Sequence, residues 1–283
     1  MRNTLKMGIS LIIMGLVVFS VAFVMSDFDI NKINSVDEYV EKSFVTSKDI
    51  RNIEIHDSNK TINVVKSTDE SIHIKYYENE NETYDISDEN DLTIRNENHI
   101  KWYDNLININ IYNNELTLCI PKNYEGTLNI KNSNGSIKVE DILFNEIDIK
   151  TSNGKVKLDD ISVNKRVNIE TSNASVSLET VYSENLYIRT SSGKVLLNDC
   201  IIKNNLEVDN SNGKVELDNI KLGDITKIQT SNGSIYGSII GEINDFSIDS
   251  KTSNGSNNLS NRVSGDKILK LKTSNAGINI DFK

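Results

Sequence analysis

The stretch IDIKTSNGKVKLDDI (147–161) decides the fold. Apolar side chains stand at Ile147 and Ile149, at Val156 and Leu158, and again at Ile161, around a polar Thr151-Ser152-Asn153-Gly154 corner. Each i, i+2 pair is the period-2 signature of a strand with one buried face. The grammar recurs along the chain. Taking the corner residue as zero, Asn134, Asn153, Asn173, Ser192, Asn212, Asn232, Asn254 and Asn275 are spaced by 19, 20, 19, 20, 20, 22 and 21 residues. A period near 20 marks a solenoid, in which each repeat buries its apolar face against its neighbours.

The apolar positions at -6, -4, +3, +5 and +8 reproduce themselves from corner to corner. Leu128, Ile130, Ile137, Val139 and Ile142 surround Asn134, and Leu206, Val208, Val215, Leu217 and Ile220 surround Asn212. The same spacing surrounds Asn59 and Asn113, which lack the Ser-Asn-Gly motif, so the repeat begins near Ile50. Twenty residues cannot hold two long strands and a crossover helix. The expectation is an all-β, parallel β-solenoid with about ten to twelve coils rising ~4.8 Å each. An antiparallel sandwich of Asn-Gly hairpins is the alternative, but it gives no reason for a constant period. Gly at +1 is expected to supply a positive φ. The corner residues are expected to stack as a hydrogen-bonded ladder.

Two segments break the grammar. Residues 76–91 (YYENENETYDISDEND) are acidic and read as a surface loop inserted into one turn, with an irregular region extending to 103. Residues 250–266 read as a second irregular coil, because Ser250 and Asn257 stand where apolar residues are due. Tyr76, Tyr77, Trp102 and Tyr103 flank the insertion. They fit either a capped solenoid end or a surface that stacks on sugar or protein.

Before the repeat, Met7 to Met25 is a run of 19 residues without a charge, preceded by Arg2 and Lys6. A bilayer span needs about 20 residues, and the flanking charges put the N-terminus inside. The organisation expected is a cytoplasmic 1–6, a transmembrane signal-anchor 7–25 embedded in the lipid bilayer, a stalk 26–49 and a solenoid 50–283. A cleaved signal peptide is the alternative for 7–25. In the stalk, Ser35 to Glu38 fits a capping box, so a short helix through Lys42 competes with a plain tether.

The chain of 283 residues carries a net charge of -10, which argues against nucleic acid as a partner. Cys119 and Cys200 are 81 residues apart, roughly 19 Å along such a rod, too far for a disulfide. Outward acids at +6 and +7, such as Glu140/Asp141 and Asp159/Asp160, form a column. It fits a solvated edge, a Ca²⁺ site or a glycan-cutting carboxylate pair. Lys155, Lys194 and Lys214 follow the turn glycine and are placed to pair with those acids. His56, His73 and His99 lack metal spacing. No P-loop, Gly-x-Ser-x-Gly or Cys-x-x-Cys motif points to catalysis or a cofactor.

With copies such as 147–161 and LEVDNSNGKVELDNI (206–220) behind an N-terminal anchor, residues 50–283 resemble the bacterial "putative adhesin" domain-of-unknown-function family, including LiaG-like membrane-anchored proteins. The resemblance implies a surface β-solenoid without catalytic residues, a cell-wall or envelope protein partner, and a link to adhesion or envelope stress. A glycan-active β-helix enzyme and a passive spacer are the competing functions.

Overall fold

The computed structural model describes residues 2–25, 39–98 and 115–283. One helix, α1 (Arg2–Met25), precedes the strands. These are β1 (Val40–Thr46), β2 (Asn52–His56), β3 (Thr61–Lys66), β4 (Ile72–Glu78), β5 (Glu82–Asp88), β6 (Leu92–Asn98) and β7 (Glu115–Ile120). There follow β8 (Thr127–Lys131), β9 (Ile137–Glu140), β10 (Leu143–Thr151), β11 (Val156–Thr171), β12 (Val176–Thr190), β13 (Val195–Asn198) and β14 (Ile201–Asn210). The last are β15 (Val215–Leu222), β16 (Ile225–Gln229), β17 (Ile235–Ile240), β18 (Phe246–Lys251), β19 (Lys267–Lys272) and β20 (Ile278–Phe282).

The strands wind into a parallel solenoid with three faces. On the first face, β6, β2, β8, β10, the ends of β11 and β12, β14, β16, β19 and β18 are parallel neighbours in that order. On the second, β7, β3, β9, the starts of β11 and β12, β13, β15, β17 and β20 follow one another. A shorter third face aligns Leu143, Ser162, Tyr182, Ile201, Lys221 and Ile240. The inward columns, such as Ile62-Ile137-Val156-Val176-Val195-Val215-Ile235-Ile278, are fully buried and form one continuous core. The +8 position supplies the third face through Ile142, Ile161, Val181, Cys200, Ile220 and Ile239.

Spatial order departs from sequence order at both ends. β19 and β20, the last strands of the chain, lie between the β16–β17 coil and β18. At the other end β2 and β3 lie between β6–β7 and β8–β9. A terminal coil on the outside would have one unpaired edge, where strands fray and recruit other chains. Tucked one coil inward, it is paired on both sides.

Three expectations are corrected here. The acidic 76–91 segment is not a loop: it belongs to β4, β5 and β6. β5 pairs antiparallel with β6, and β4 runs antiparallel between β1 and β7, so this segment builds the end of the solenoid. Its acids face outward while Ile74, Leu92 and Ile94 face the core, which is why composition alone reads as a loop. Second, β1 occupies residues 40–46 of the expected stalk, and Val40–Lys42 is strand rather than helix; residues 26–38 lie outside the described residues. Third, the turn glycines do not have positive φ. A Cβ on Gly154 would fall 1.9 Å from the carbonyl oxygen of Gly135, one coil back. The +1 position is thus small because adjacent coils approach there. The left-handed corners are instead at +7, where Asp141, Asp160, Thr180, Asp199 and Asn219 have φ near +50° (48–53°). Asp and Asn tolerate that conformation best among residues with a Cβ, so the +7 acids have a backbone reason to exist.

The 250–266 segment is regular through β18 and its corner, and irregular beyond. Inward-facing Ser250 donates from its hydroxyl to Asn257 Oδ1 at 3.0 Å, and Asn257 Nδ2 returns a bond to Ser250 O at 3.1 Å. Polar residues replace apolar ones there because the core column ends.

Candidate functional site

The corner ladder is real but interrupted. Asn134 Nδ2 donates to Asn59 Oδ1 at 2.8 Å, Asn153 to Asn134 at 2.9 Å and Asn173 to Asn153 at 2.9 Å. Ser192 breaks the run, and Asn212 Nδ2 turns to the carbonyl of Ser191 at 3.1 Å. Beyond it the order is Asn212, Asn232, Asn275, Asn254, with donor–acceptor distances of 2.7, 2.7 and 2.8 Å. The tight turn itself is held by the residue at -2. Thr151 Oγ1 accepts from the Gly154 N–H at 3.2 Å, and Thr171, Thr190, Thr230 and Thr252 accept likewise at 3.1–3.2 Å. The ladder is therefore a structural element of the corner.

Of the four aromatic residues expected at a binding surface, Tyr77 is buried and donates to Glu41 at 3.0 Å. Tyr76 packs edge-on against Tyr84, with ring centroids 5.2 Å apart. Trp102 and Tyr103 lie outside the described residues, as does His99. The tyrosines belong to a polar cluster that closes the solenoid end. Tyr84 donates to Asp57 at 2.5 Å, Tyr39 donates to Glu82 at 2.5 Å, and Lys60 pairs with Glu82 at 3.0 Å. Burial first, and then the adjacent Asp57 carboxylate, push the Tyr84 hydroxyl pKa upward, so it stays a donor. On the exposed rim, hydrogen bonds from Lys75 and Tyr77 hold the Glu41 carboxyl below its usual range.

The acidic +6 column is neutralised by lysines. Lys138 lies 2.7 Å from Glu140, Lys157 lies 2.7 Å from Asp159 and 3.4 Å from Glu179, and Lys194 lies 2.5 Å from Glu216. Asp141 takes Lys66 and Lys122 at 3.6 and 3.5 Å. Of the three lysines that follow the turn glycine, Lys194 makes such a pair, and Lys214 lies 5.9 Å over the Tyr236 ring instead. Among the described residues no group of three or more His, Cys, Asp or Glu side chains is placed to hold a metal ion. His73 is 2.8 Å from Asp69 and His56 is 3.5 Å from Glu54. Cys119 and Cys200 are free thiols.

One feature has no counterpart in the sequence grammar. A groove of about 670 Å³ lies where the segment joining β1 to β2 meets the loop joining β7 to β8. Lys48, Asp49, Arg51, Glu70, Asn123 and Glu125 supply its charged and polar rim. Tyr124 forms part of its wall, with a buried hydroxyl that has no hydrogen-bond partner. The groove is assembled from loops with no repeat signature, so only the folded chain brings these side chains together.

Among the residues whose side chains are described, no helix is long and apolar enough to cross a membrane. The α1 backbone itself runs for 24 residues, about 36 Å at the helical rise.

The fold recurs in solved structures. A "putative adhesin" from Bacteroides fragilis NCTC 9343 aligns over 87% of this chain and 98% of its own, with 14% identity and a TM-score of 0.58. A "putative cell adhesion protein" from Clostridium sporogenes ATCC 15579 covers 87% of this chain and 100% of its own at 13% identity, but its TM-score of 0.23 carries no structural argument. No curated protein matches the sequence. The Toastrack DUF4097 family model matches residues 50–281. Coils that repeat Thr-Ser-Asn-Gly over a buried Ile/Val/Leu column, matched across that whole span, make this chain a member of the Toastrack DUF4097 family.

Proposed function

We propose that the protein is a single-pass membrane protein whose solenoid stands outside the cytoplasm and offers a rigid, non-enzymatic surface for adhesion or for sensing the state of the envelope. The observation that carries this is α1. Its described side chains are apolar around the whole circumference, and Leu11, Ile12, Ile13, Leu16 and Phe19 are all exposed. A helix that is apolar all round needs a core or a bilayer to cover it. Arg2 and Lys6 on its N-terminal side favour the inside-to-outside orientation. The adhesin titles of the structures sharing this fold support a surface role. The lysine-paired acids and the backbone-determined Asp/Asn corners support a scaffold over a carboxylate enzyme.

The test is protease shaving of intact cells that carry the full chain with a tag at either end. The C-terminal tag is expected to be removed and the N-terminal tag protected. A protected C-terminal tag overturns the placement. With placement established, deletion of the gene is expected to reduce attachment to a surface or to blunt the response to wall-active agents; a deletion strain unchanged in both overturns the role.

A further inference from the structure

The end of the solenoid farthest from α1 along the stack carries a charge pattern unlike the rest. On the first face β16, β19 and β18 are adjacent, with Lys227 opposite Lys270 and Lys272 opposite Lys251. All four side chains point outward and are exposed. Adjacent strands are ~4.8 Å apart and residues i, i+2 are about 7 Å apart. The four ammonium groups therefore form a compact grid. Like charges directly opposite on neighbouring strands destabilise a sheet.

Elsewhere on the solenoid this repulsion is relieved. Lys138, Lys150, Lys157, Lys165, Lys194 and Lys203 all sit within ion-pair distance of a carboxylate. None of Lys227, Lys251, Lys270 and Lys272 makes such a pair, although Glu207 and Asp249 stand beside the grid in register. The contrast holds in composition too. Residues 224–283 carry seven basic and six acidic side chains, in a chain with a net charge of -10. The adjacency arises because β19 inserts between β16 and β18, so Lys270 faces Lys227 from 43 positions away.

We propose that this lysine grid is a docking surface for a linear polyol-phosphate polymer of the cell envelope. Four unpaired charges held at a sheet's fixed spacing suit a chain of repeating anions. Lysine, a point charge, accommodates tetrahedral phosphodiesters, whereas planar carboxylates favour the fork of arginine. The one arginine nearby, Arg262, is committed to Asn244 Oδ1 and the Ser264 hydroxyl at 2.8 and 3.0 Å. The grid has no aromatic residue for base stacking, which separates it from a single-stranded nucleic-acid site. Ten strands of the first face separate the two ends, about 43 Å, so a chain anchored through α1 holds the grid away from its own bilayer. This last step rests on the extracytoplasmic placement proposed above; the charge argument does not.

The test uses the full chain in detergent micelles, titrated with polyglycerol phosphate by calorimetry, with phosphatidylglycerol vesicles and sedimentation run in parallel. Binding is expected to weaken roughly fifty-fold between 50 and 200 mM salt if about four counterions are displaced. Lys270→Glu/Lys272→Glu is expected to weaken it at least tenfold. Lys131→Glu/Lys150→Glu, on the same face but outside the grid, is expected to leave it within twofold. Lys270→Gln/Lys272→Gln with an unchanged melting curve guards against a folding defect and is expected to show an intermediate loss. Polymer binding that is absent, or equal in the grid variants, overturns the proposal. So does tighter binding to vesicles, or self-association of the chain as the only effect of the grid. A bound polymer with a cytoplasmic C-terminal tag would refute the placement while leaving the grid's chemistry intact.

Discussion

Lys60 Nζ lies 3.0 Å from a carboxylate oxygen of Glu82, with side chains only 4% and 8% exposed. Lys60 occupies the corner position that Gly takes in later coils, and Glu82 opens β5 of the end-closing sheet. The ammonium also sits 4.1 Å over the Tyr39 ring, and Glu82 accepts from Asn96 Nδ2 at 2.8 Å. The pair thus joins the segment entering the solenoid, the first coil and its cap. Removing one partner of a buried ion pair strands the other charge and costs about 3–5 kcal/mol. Glu82→Ala and Lys60→Met are each expected to lower the urea midpoint by a corresponding amount. Lys60→Met/Glu82→Leu is expected to recover most of the loss. Additive losses in the double variant would show that the two side chains act independently.

Much of this architecture is legible in the chain because buried columns impose their period on the sequence: Ile147, Ile149, Val156 and Leu158 announce a coil wherever they recur. Coil order is not legible. Nothing in the corner at Asn254 distinguishes it from the one at Asn275, and stacking is decided by which strand edge is free. The lysine grid is invisible for the same reason. The cap is hidden because its outward acids dominate the composition of 76–91, while Ile74, Leu92 and Ile94 are diluted among them. The Tyr124 groove is built from loops, whose packing no periodicity encodes.

The ladder is broken at Ser192, whose hydroxyl is too short to reach the amide of the next coil. Asn212 Nδ2 uses the Ser191 carbonyl in its place. Ser192→Asn is expected to join the two halves and stabilise the solenoid by about 0.5–1 kcal/mol, the usual net worth of one hydrogen bond. Asn153→Ala, which removes one donor and one acceptor from an intact run, is expected to cost about 1 kcal/mol. Urea melts of both variants check this, and a stabilising Asn153→Ala would refute the ladder's energetic role.

Thr180 is the odd member of the left-handed corners, with φ of 53° where Asp160 and Asp199 have 48° and 49°. A β-branched side chain in this region carries strain of order 1–2 kcal/mol. Thr180→Asn is expected to raise stability by about 0.5–1 kcal/mol, and Asp160→Thr to lower it by a similar amount. Equal melting points for wild type and both variants would mean that the corner is not strained.

The two thiols differ in burial and so in chemistry. Cys200 is fully buried in the +8 column, and burial pushes its pKa up to about 11 from a model value of 9.0. Cys119 is half-buried, and burial raises its pKa as well. At pH 8 a disulfide reagent is expected to modify Cys119 slowly and Cys200 only after denaturation, since the thiolate is the reactive form. The raised Cys200 pKa also has a stability consequence. Below about pH 9 the thiol is protonated in both states and the folded chain keeps its full advantage. Between about 9 and 11 the unfolded chain loses this proton while the folded chain retains it, so stability falls as pH rises. A shift of this size corresponds to about 2–3 kcal/mol across the window. Cys200→Val keeps the column apolar, as Val181 does one coil before. It is expected to leave stability at pH 7 within about 1 kcal/mol and to flatten the decline between pH 9 and 11. An unchanged alkaline slope in Cys200→Val would assign that decline to other groups, the buried Tyr84 and Tyr124 first among them.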